Sequence, residues 1–212
     1  PRAVADHCHP YYGDCDVFLG TGFDELLYTL YRTPLTQLKG SLGMQAIWKR
    51  PSHDIPKSEA LVRVTVVYVI ALFIAGVILV WSSAEPLWRA LWADLAATVV
   101  VFGASRWHRN SSFYDAFWSV IPPVLMLWWM VVGSSESTLR ELLVLALLLY
   151  WATRLTCHWA YYWPGLHHED WRYGMLREQA GRNAIAVDFM GVHVFPTIQV
   201  FLGMLPVYAV TV

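Results

Sequence analysis

The chain has 212 residues, of which 57% are hydrophobic and 15% are charged, and it contains 12 tryptophans. Soluble globular domains carry about 25% charged residues, so this composition indicates a membrane protein. The formal net charge of -1 excludes the basic surface that nucleic-acid binding requires, and no nucleic-acid partner is predicted. The 3 cysteines are odd in number, and Cys157 lies in an apolar run, so a disulfide framework is not supported.

Residues 1–60 are polar, are interrupted by glycine and proline, and show no sustained helical period. They also lack the charged start and short apolar core of a secretory signal peptide. We predict that residues 1–60 are a cytoplasmic leader before a transmembrane domain at 61–212. Either the whole leader is native, or the native start is Met44 and residues 1–43 are not native, which we slightly favour because the chain begins at Pro1.

Five segments are long and apolar enough to cross a bilayer, which takes about 20 residues at a rise of about 1.5 Å each. Each is predicted to be helical, because a backbone in lipid must satisfy its own hydrogen bonds. The predicted spans are Leu61–Trp81, Pro86–Ser105, Phe113–Val132, Leu139–Trp159 and Val187–Val212. The sequence therefore predicts an all-α, multi-pass transmembrane bundle; its oligomeric state stays open.

Basic residues alternate between the two sides of these spans. The loops of one side hold ten, namely Lys49, Arg50, Lys57, Arg63, Arg106, Arg109, Arg154, Arg172, Arg177 and Arg182, and the opposite loops hold two, Arg89 and Arg140. Because basic loops stay in the cytoplasm, the N-terminus and the segment after the fourth span are predicted to be cytoplasmic.

Polar residues inside four spans recur at helical spacing, so each of these spans has one polar face. The four sets are Asp94, Thr98 and Ser105; Asp115, Trp118, Ser119 and Pro122; Tyr150, Arg154, Cys157, His158 and Tyr161; and Asp188, Phe195 and Gln199. Charged groups in membranes turn inward, so the faces are predicted to surround an internal pocket open to the cytoplasm. The alternative is a set of interhelical hydrogen bonds of about 1 kcal/mol each that only hold the bundle together.

The segment from Arg154 to Arg177 concentrates cations, carboxylates, histidines and aromatic residues between two apolar runs. Ionisable groups at a membrane edge indicate a functional site. His167 and His168 are adjacent, so they point in different directions, and no further set of ligands completes a metal sphere. No metal site is predicted.

Three strings carry a resemblance to a known family: NSSFYDAFWSVIPP (Asn110 to Pro123), YWATRL (Tyr150 to Leu155) and WPGLHHEDWRYGMLR (Trp163 to Arg177). In this order they resemble the DUF1295 branch of the steroid 5-alpha-reductase family, over roughly Lys57 to Val212. The resemblance implies a membrane enzyme that uses NADPH to reduce a carbon-carbon double bond conjugated to a ketone, in a steroid or another lipid.

The family pattern continues past the equivalent of Val212 with a string of the type SRHPNYFGE that supplies much of the cofactor site, and this chain has no such string. The chain therefore resembles the N-terminal two-thirds of such an enzyme, and we expect it to be inactive alone. Two alternatives stay open: a membrane methyltransferase of the isoprenylcysteine type and a non-catalytic scaffold.

Within this resemblance, arginines can offer guanidinium forks to the phosphates of NADPH. The candidates are Arg154, Arg172 and Arg177, with Arg182 as a further one. Glu169, Asp170 and Tyr173 are predicted to complete the cofactor site, the two carboxylates by binding ribose or amide groups or by orienting the arginines. For the carboxylates, a loop ion-pair network is the alternative.

Reduction of an enone requires a donor near the ketone oxygen, where negative charge develops. Tyr114 is the predicted donor. Asp115 would orient it, or Asp94 would act as a protonated acid that its apolar setting keeps neutral.

Overall fold

The computed structural model describes residues 55–133 and 138–212, which are mostly helical and contain no strand. The predicted all-α class is confirmed. The helices are α1 Lys57–Trp81, α2 Pro86–His108, α3 Phe117–Val132, α4 Thr138–Tyr162, α5 Trp171–Ala180, α6 Ala184–Val187, α7 Phe195–Gly203 and α8 Leu205–Thr211. Two 3-10 turns, Ser111–Phe113 and Gly181–Asn183, and a π-helix, Asp188–Val194, lie between them. The predicted leader before residue 55, including Met44, lies outside the described residues.

Five helical segments are long and apolar enough to cross a membrane, as predicted, so the chain is a multi-pass membrane protein. They are Lys57–Trp81, Pro86–His108, Ser111–Val132, Leu139–Tyr162 and Trp171–Gly203. The first four match the predicted bounds to within a few residues. The fifth begins at Trp171 rather than Val187, because α5, α6 and the turns between them continue the helical path from the motif segment into the span.

Two contacts between helix ends show how α4 is oriented relative to α1 and to α8. At one end of the bundle, Lys57 at the start of α1 donates a hydrogen bond to the carbonyl oxygen of Tyr161, 2.6 Å away at the end of α4. At the other end, Arg140 near the start of α4 donates to the carbonyl oxygen of Val210, 3.0 Å away. The start of α1 therefore lies on the same side as the end of α4, and the start of α4 lies on the same side as the end of α8. The basic-residue pattern requires the same arrangement.

Small residues bring α1 and α2 together. The buried alanines are Ala60, Ala71 and Ala75 on α1 and Ala90, Ala93 and Ala97 on α2, each at most 1% exposed. Alanine allows two helix backbones to approach closely, which is how helices pack in lipid without a hydrophobic driving force between them. These alanines therefore account for the close packing of α1 against α2.

The end of α3 packs against the end of α8. A Cβ added to Gly133 would overlap the carbonyl oxygen of Thr211 and would lie 2.8 Å from that of Trp129. Trp129 itself is fully buried and meets Phe201 and Tyr208 edge to face, at 6.3 and 5.2 Å between ring centroids. The absence of a side chain at Gly133 therefore permits this close approach.

The fourth span contributes least to the interior, since only 6% of its most apolar 18-residue stretch is buried inside the bundle. Its polar set, Tyr150, Arg154, Cys157, His158 and Tyr161, is exposed on the outer face of α4. The expectation that this set lines an internal pocket is therefore wrong for the described bundle. The inward face of α4 carries Ala152 and the partly buried Thr156 instead.

Candidate functional site

Asn110 fixes the loop between α4 and α5 to the start of the third span. This loop, residues 163–170, is called the motif loop here. Its side-chain amide donates to the carbonyl oxygens of Leu166 at 2.9 Å and His168 at 2.8 Å. Its carbonyl oxygen accepts from the backbone N–H of Ser112 at 2.9 Å and so caps the 3-10 turn. One buried side chain therefore holds two segments that are far apart in sequence, as buried amides do when all their hydrogen bonds are made.

A buried ion-pair network lies directly behind that loop. Arg177 pairs with Glu169 and, at 3.0 Å, with Asp188, and the three residues are 7%, 4% and 0% exposed. Ser111 completes the network: its backbone N–H donates to Glu169 at 2.7 Å and its hydroxyl to Asp188 at 2.9 Å. A buried guanidinium held by two carboxylates is not available to a phosphate outside the protein. Arg177 and Glu169, both predicted to bind cofactor, thus form an internal clamp.

Arg172 occupies a different environment five residues earlier in the same motif. Its side chain is 61% exposed, and its guanidinium donates to both oxygens of Asp170, at 2.9 and 2.6 Å. Asp170 also caps α5 by accepting from the backbone N–H of Arg172 at 2.9 Å. Burial alone would raise the pKa of Asp170, but the hydrogen bonds and positive charge of Arg172 outweigh it and lower that pKa.

Asp115 and Tyr173 are hydrogen-bonded to each other, the tyrosine hydroxyl donating to the carboxylate. This contact joins the start of the third span to α5. Asp115 therefore orients Tyr173 rather than Tyr114, which departs from the predicted pairing. Of the predicted cofactor residues, the structure brings Glu169, Asp170, Arg172, Tyr173 and Arg177 to one end of the bundle. Arg154 is exposed on α4, and none of the described hydrogen bonds of this cluster involves it.

The hydroxyl of Tyr114 lies deeper, in a cluster of three hydroxyl groups. Thr197 is the centre, 2.7 Å from the Tyr114 oxygen and 2.8 Å from that of Thr98. Thr197 donates its own hydrogen to the carbonyl oxygen of His193 at 2.9 Å. A hydroxyl has one donor and two acceptor positions, so both Tyr114 and Thr98 must donate to Thr197. In this state the Tyr114 proton is directed at Thr197, and its oxygen keeps acceptor capacity.

His193 connects the hydroxyl cluster to the ion-pair network. Its Nδ1 lies 2.9 Å from the carbonyl oxygen of Asp188 and its Nε2 lies 3.1 Å from the hydroxyl of Ser105. A carbonyl only accepts, so Nδ1 carries a hydrogen by this hydrogen-bond assignment. With a neutral ring, Ser105 donates to Nε2; with a charged ring, it donates to the carbonyl oxygen of Val101, 2.9 Å away. A buried series of contacts thus runs from Glu169 through Arg177 to Asp188, whose backbone carbonyl meets His193. It continues from the His193 backbone carbonyl through Thr197 to Tyr114.

Asp94 is fully buried in α2, one turn before Thr98. Neither of its carboxyl oxygens has a hydrogen-bond partner among the residues that the structure describes. An unpaired buried carboxylate is so costly that such a group is kept neutral or receives a partner from outside. Asp94 is therefore the residue in the described bundle that best fits a site for an external hydrogen-bonding group.

Sequence reasoning missed His193 and Thr197 because it assumed a regular helix. It aligned Asp188 with Phe195 and Gln199, both of which are exposed, whereas the inward set is Asp188, His193 and Thr197. The π-helix Asp188–Val194 accounts for the difference, since its wider turn displaces the residues that follow. Single π turns occur frequently at functional sites. No local sequence signal marks this one. No group of three His, Cys, Asp or Glu residues that could hold a metal ion is found in residues 55–133 and 138–212.

Known proteins give one family match. The family described as "Protein of unknown function (DUF1295)" matches residues 101–212, which include Tyr114, the motif loop and the whole fifth span. The chain is also 27% identical over 115 residues to "Uncharacterized protein C594.04c" of Schizosaccharomyces pombe, a match that covers 51% of this chain and 33% of that protein. The chain thus spans about a third of that curated relative. No solved structure matches the chain significantly. Since the family match extends over more than half of its residues, the chain belongs to the DUF1295 family.

Proposed function

We propose that this protein is a membrane reductase that uses NADPH to reduce a carbon-carbon double bond conjugated to a ketone, in a steroid or another lipid. The observation that supports it best is that a buried hydroxyl and a buried carboxyl lie near each other inside the bundle. The buried Tyr114 hydroxyl contacts Thr197, which also contacts Thr98. The Asp94 carboxyl, which has no hydrogen-bond partner among the described residues, lies one helical turn from Thr98. A lipid substrate would enter this interior from the bilayer, and its ketone oxygen would need hydrogen-bond donors there.

The roles proposed for the site residues follow from their hydrogen bonds. Tyr114 would turn its hydroxyl from Thr197 to the substrate oxygen and donate its proton as charge develops there. Thr197 would keep its bond to the His193 carbonyl oxygen, 2.9 Å away, and so hold the cluster in place while Tyr114 moves. Asp94, as a neutral acid, would be a second donor to the same substrate.

The motif end of the bundle fits the cofactor only in part. Bound NADPH supplies the hydride. Arg172 fits a phosphate, because its guanidinium is exposed and can exchange Asp170 for another anion. Arg177 does not fit, because Glu169 and Asp188 occupy it inside the protein. Tyr173 and Asp170 would border the bound cofactor, and Arg177 and Glu169 would support the loop from below.

The experiment separates cofactor binding from chemistry. NADPH binding and single-turnover reduction of a 4-ene-3-keto steroid are measured on the 212-residue chain and on a completed form, which adds the downstream cofactor string that the family resemblance implies. Tyr114→Phe should retain NADPH binding and lose about a hundredfold in turnover. The matched control is Tyr68→Phe, which removes another buried hydroxyl, 2.6 Å from the Phe113 carbonyl oxygen, outside the Thr197 cluster. It should change turnover only a few-fold.

The cofactor arm of the same experiment uses arginines. Arg172→Ala should weaken NADPH binding about ten- to a hundredfold, the loss of a charged hydrogen bond. Arg63→Ala, which removes an exposed cation on α1, is the control and should leave binding unchanged. Binding of S-adenosylmethionine instead of NADPH would replace the reductase by the methyltransferase alternative. If the completed form bound neither NADPH nor S-adenosylmethionine, the non-catalytic scaffold would be the remaining alternative.

A further inference from the structure

The outer face of α4 carries an arginine and a histidine where a membrane helix faces lipid. We define the outer patch as Tyr150, Arg154, His158 and Tyr161, which share one side of the helix by their spacing of four, four and three residues. All four are exposed, and the two tyrosines are 70% and 75% exposed. The ring centroid of His158 lies 4.6 Å from that of Tyr162, the last residue of α4, so the two rings pack against each other.

The position of Lys57 sets the depth of this patch in the membrane. Lys57 is the first residue of α1, and its ammonium group bonds the Tyr161 carbonyl oxygen at 2.6 Å and lies 6.0 Å from the centroid of the Tyr161 ring. Tyr161 is therefore at the same depth as the start of α1. Arg154 lies seven residues earlier, about 10 Å deeper at about 1.5 Å per residue. At that depth an arginine must extend toward the boundary and find an anion there.

The protein does not provide that anion from the same helix. The acidic residue of α4 is Glu141, which lies near the opposite end, about 20 Å from Arg154 along the axis. Arg177, in contrast, is buried with two carboxylates. The outer patch thus presents positive charge to whatever surrounds it in the bilayer.

We propose that the outer patch binds the phosphate of an anionic phospholipid. Arg154 would hold the phosphate with two parallel N–H bonds, the His158 ring would donate an N–H, and Lys57 would add positive charge nearer the boundary. Tyr150 and Tyr161 would bracket the glycerol region, the level at which amphipathic rings collect in membranes. The phosphate of a lipid is already tethered at this level, which suits an arginine that reaches up from the hydrocarbon.

Charge favours a lipid over the other occupants. A second copy related by a two-fold axis would bring the same cationic patch against itself, because such interfaces are self-complementary. A dinucleotide would have to place its charged phosphates at the level of lipid. An anionic lipid meets neither obstacle, and the inference does not depend on the proposed reductase activity.

The test uses the 212-residue chain in mixed micelles and native mass spectrometry, with phosphatidylglycerol and phosphatidylcholine as probes. The wild-type chain should retain one phosphatidylglycerol in preference to phosphatidylcholine. Arg154→Gln should reduce that preference about tenfold, the effect of one charged hydrogen bond. Arg154→Lys should keep most of it. Arg63→Gln, which removes an exposed cation from α1 on the same side of the membrane, is the matched control and should keep all of it.

Each other outcome overturns the proposal. Equal retention of the two lipids by the wild-type chain would mean that the patch does not select an anionic lipid. An equal loss of preference in Arg63→Gln would reduce the preference to general electrostatic attraction. A dimer that Arg154→Gln converts to a monomer would identify a second copy as the occupant. Displacement of phosphatidylglycerol by NADPH in the wild-type chain would return Arg154 to the cofactor site. Gel filtration of Arg154→Gln verifies its fold, which the loss of a lipid-facing charge does not endanger.

Discussion

Two arginines of one short motif perform different tasks because they occupy different sides of the same helix. Arg172 is exposed and paired with the residue that caps α5, whereas Arg177 is buried between Glu169 and Asp188. Ion pairs at the surface contribute little to stability, but breaking a buried pair strands a charge where water cannot reach it. The two side chains can therefore be separated by their effects on folding.

Arg177→Gln should lower the free energy of unfolding by about 3–5 kcal/mol, since it leaves two buried carboxylates without their cation. Arg172→Gln should lower it by less than about 1 kcal/mol. Unfolding in mixed micelles with increasing sodium dodecyl sulfate measures both. Equal losses would mean that Arg177 does not hold the buried network that its contacts describe.

At the scale of elements, the end of α3 and the end of α8 depend on one missing side chain. The backbone at Gly133 has an extended conformation that any residue can adopt, with φ -76° and ψ 162°. The restriction there is one of space, because the Thr211 carbonyl oxygen occupies the position that a Cβ would need. The chain can relieve this overlap only by moving α8 away from α3.

Gly133→Ala should therefore destabilise the protein by about 1–3 kcal/mol, the usual cost of overpacking. Gly76→Ala on α1 is the matched control, because nothing lies within 4 Å of a Cβ added there. It should be neutral or stabilising, since alanine favours a helix over glycine by about 1 kcal/mol. Unfolding in the same micelles gives both values, and a neutral Gly133→Ala would show that α8 does not pack this closely.

The elements also mark how far the sequence alone could lead. The existence of five spans was predictable, because lipid forces a long apolar stretch to be helical. The bounds of the first four were predicted closely, but the start of the fifth helical segment was not. The buried polar faces of α2 and α3 were predictable for the same reason. The outward polar face of α4 was not, since spacing identifies a face but not the side to which it turns. The burial of Arg177 depends on a loop that folds back on Asn110, a contact between distant residues.

For the whole molecule, the contacts between span ends place the two sides relative to each other. The asymmetry of ten basic residues to two predicts which side is cytoplasmic. The motif end, with Lys57, Asn110 and α5, is expected in the cytoplasm. NADPH is a cytoplasmic cofactor in this proposal, so the orientation and the proposed function depend on each other.

Single cysteines in a chain without its native cysteines should report that orientation. Ser83, in the exposed turn between α1 and α2, should react with an impermeant reagent added to intact cells. Asn183, exposed after α5, should react only once the membrane is opened. Labelling of Asn183 in intact cells would reverse the protein in the membrane and place its motif end on the side away from the cytoplasmic NADPH pool.

The π-helix Asp188–Val194 makes the length of the fifth span as important as its composition. Each residue of an α-helix turns the chain by about 100°, so the one extra residue that the π-helix holds shifts the residues after it by about that angle. That offset keeps Asp188 in the ion-pair network and Thr197 in the hydroxyl cluster on the same side of one helix. A regular α-helix of the same length would place Asp188 and Thr197 about 180° apart and turn one of them toward lipid, whereas deletion of the exposed Gly191 would let a regular α-helix keep both on one side. Relatives that lack one residue in this stretch should therefore form a regular helix there with the same residues facing inward.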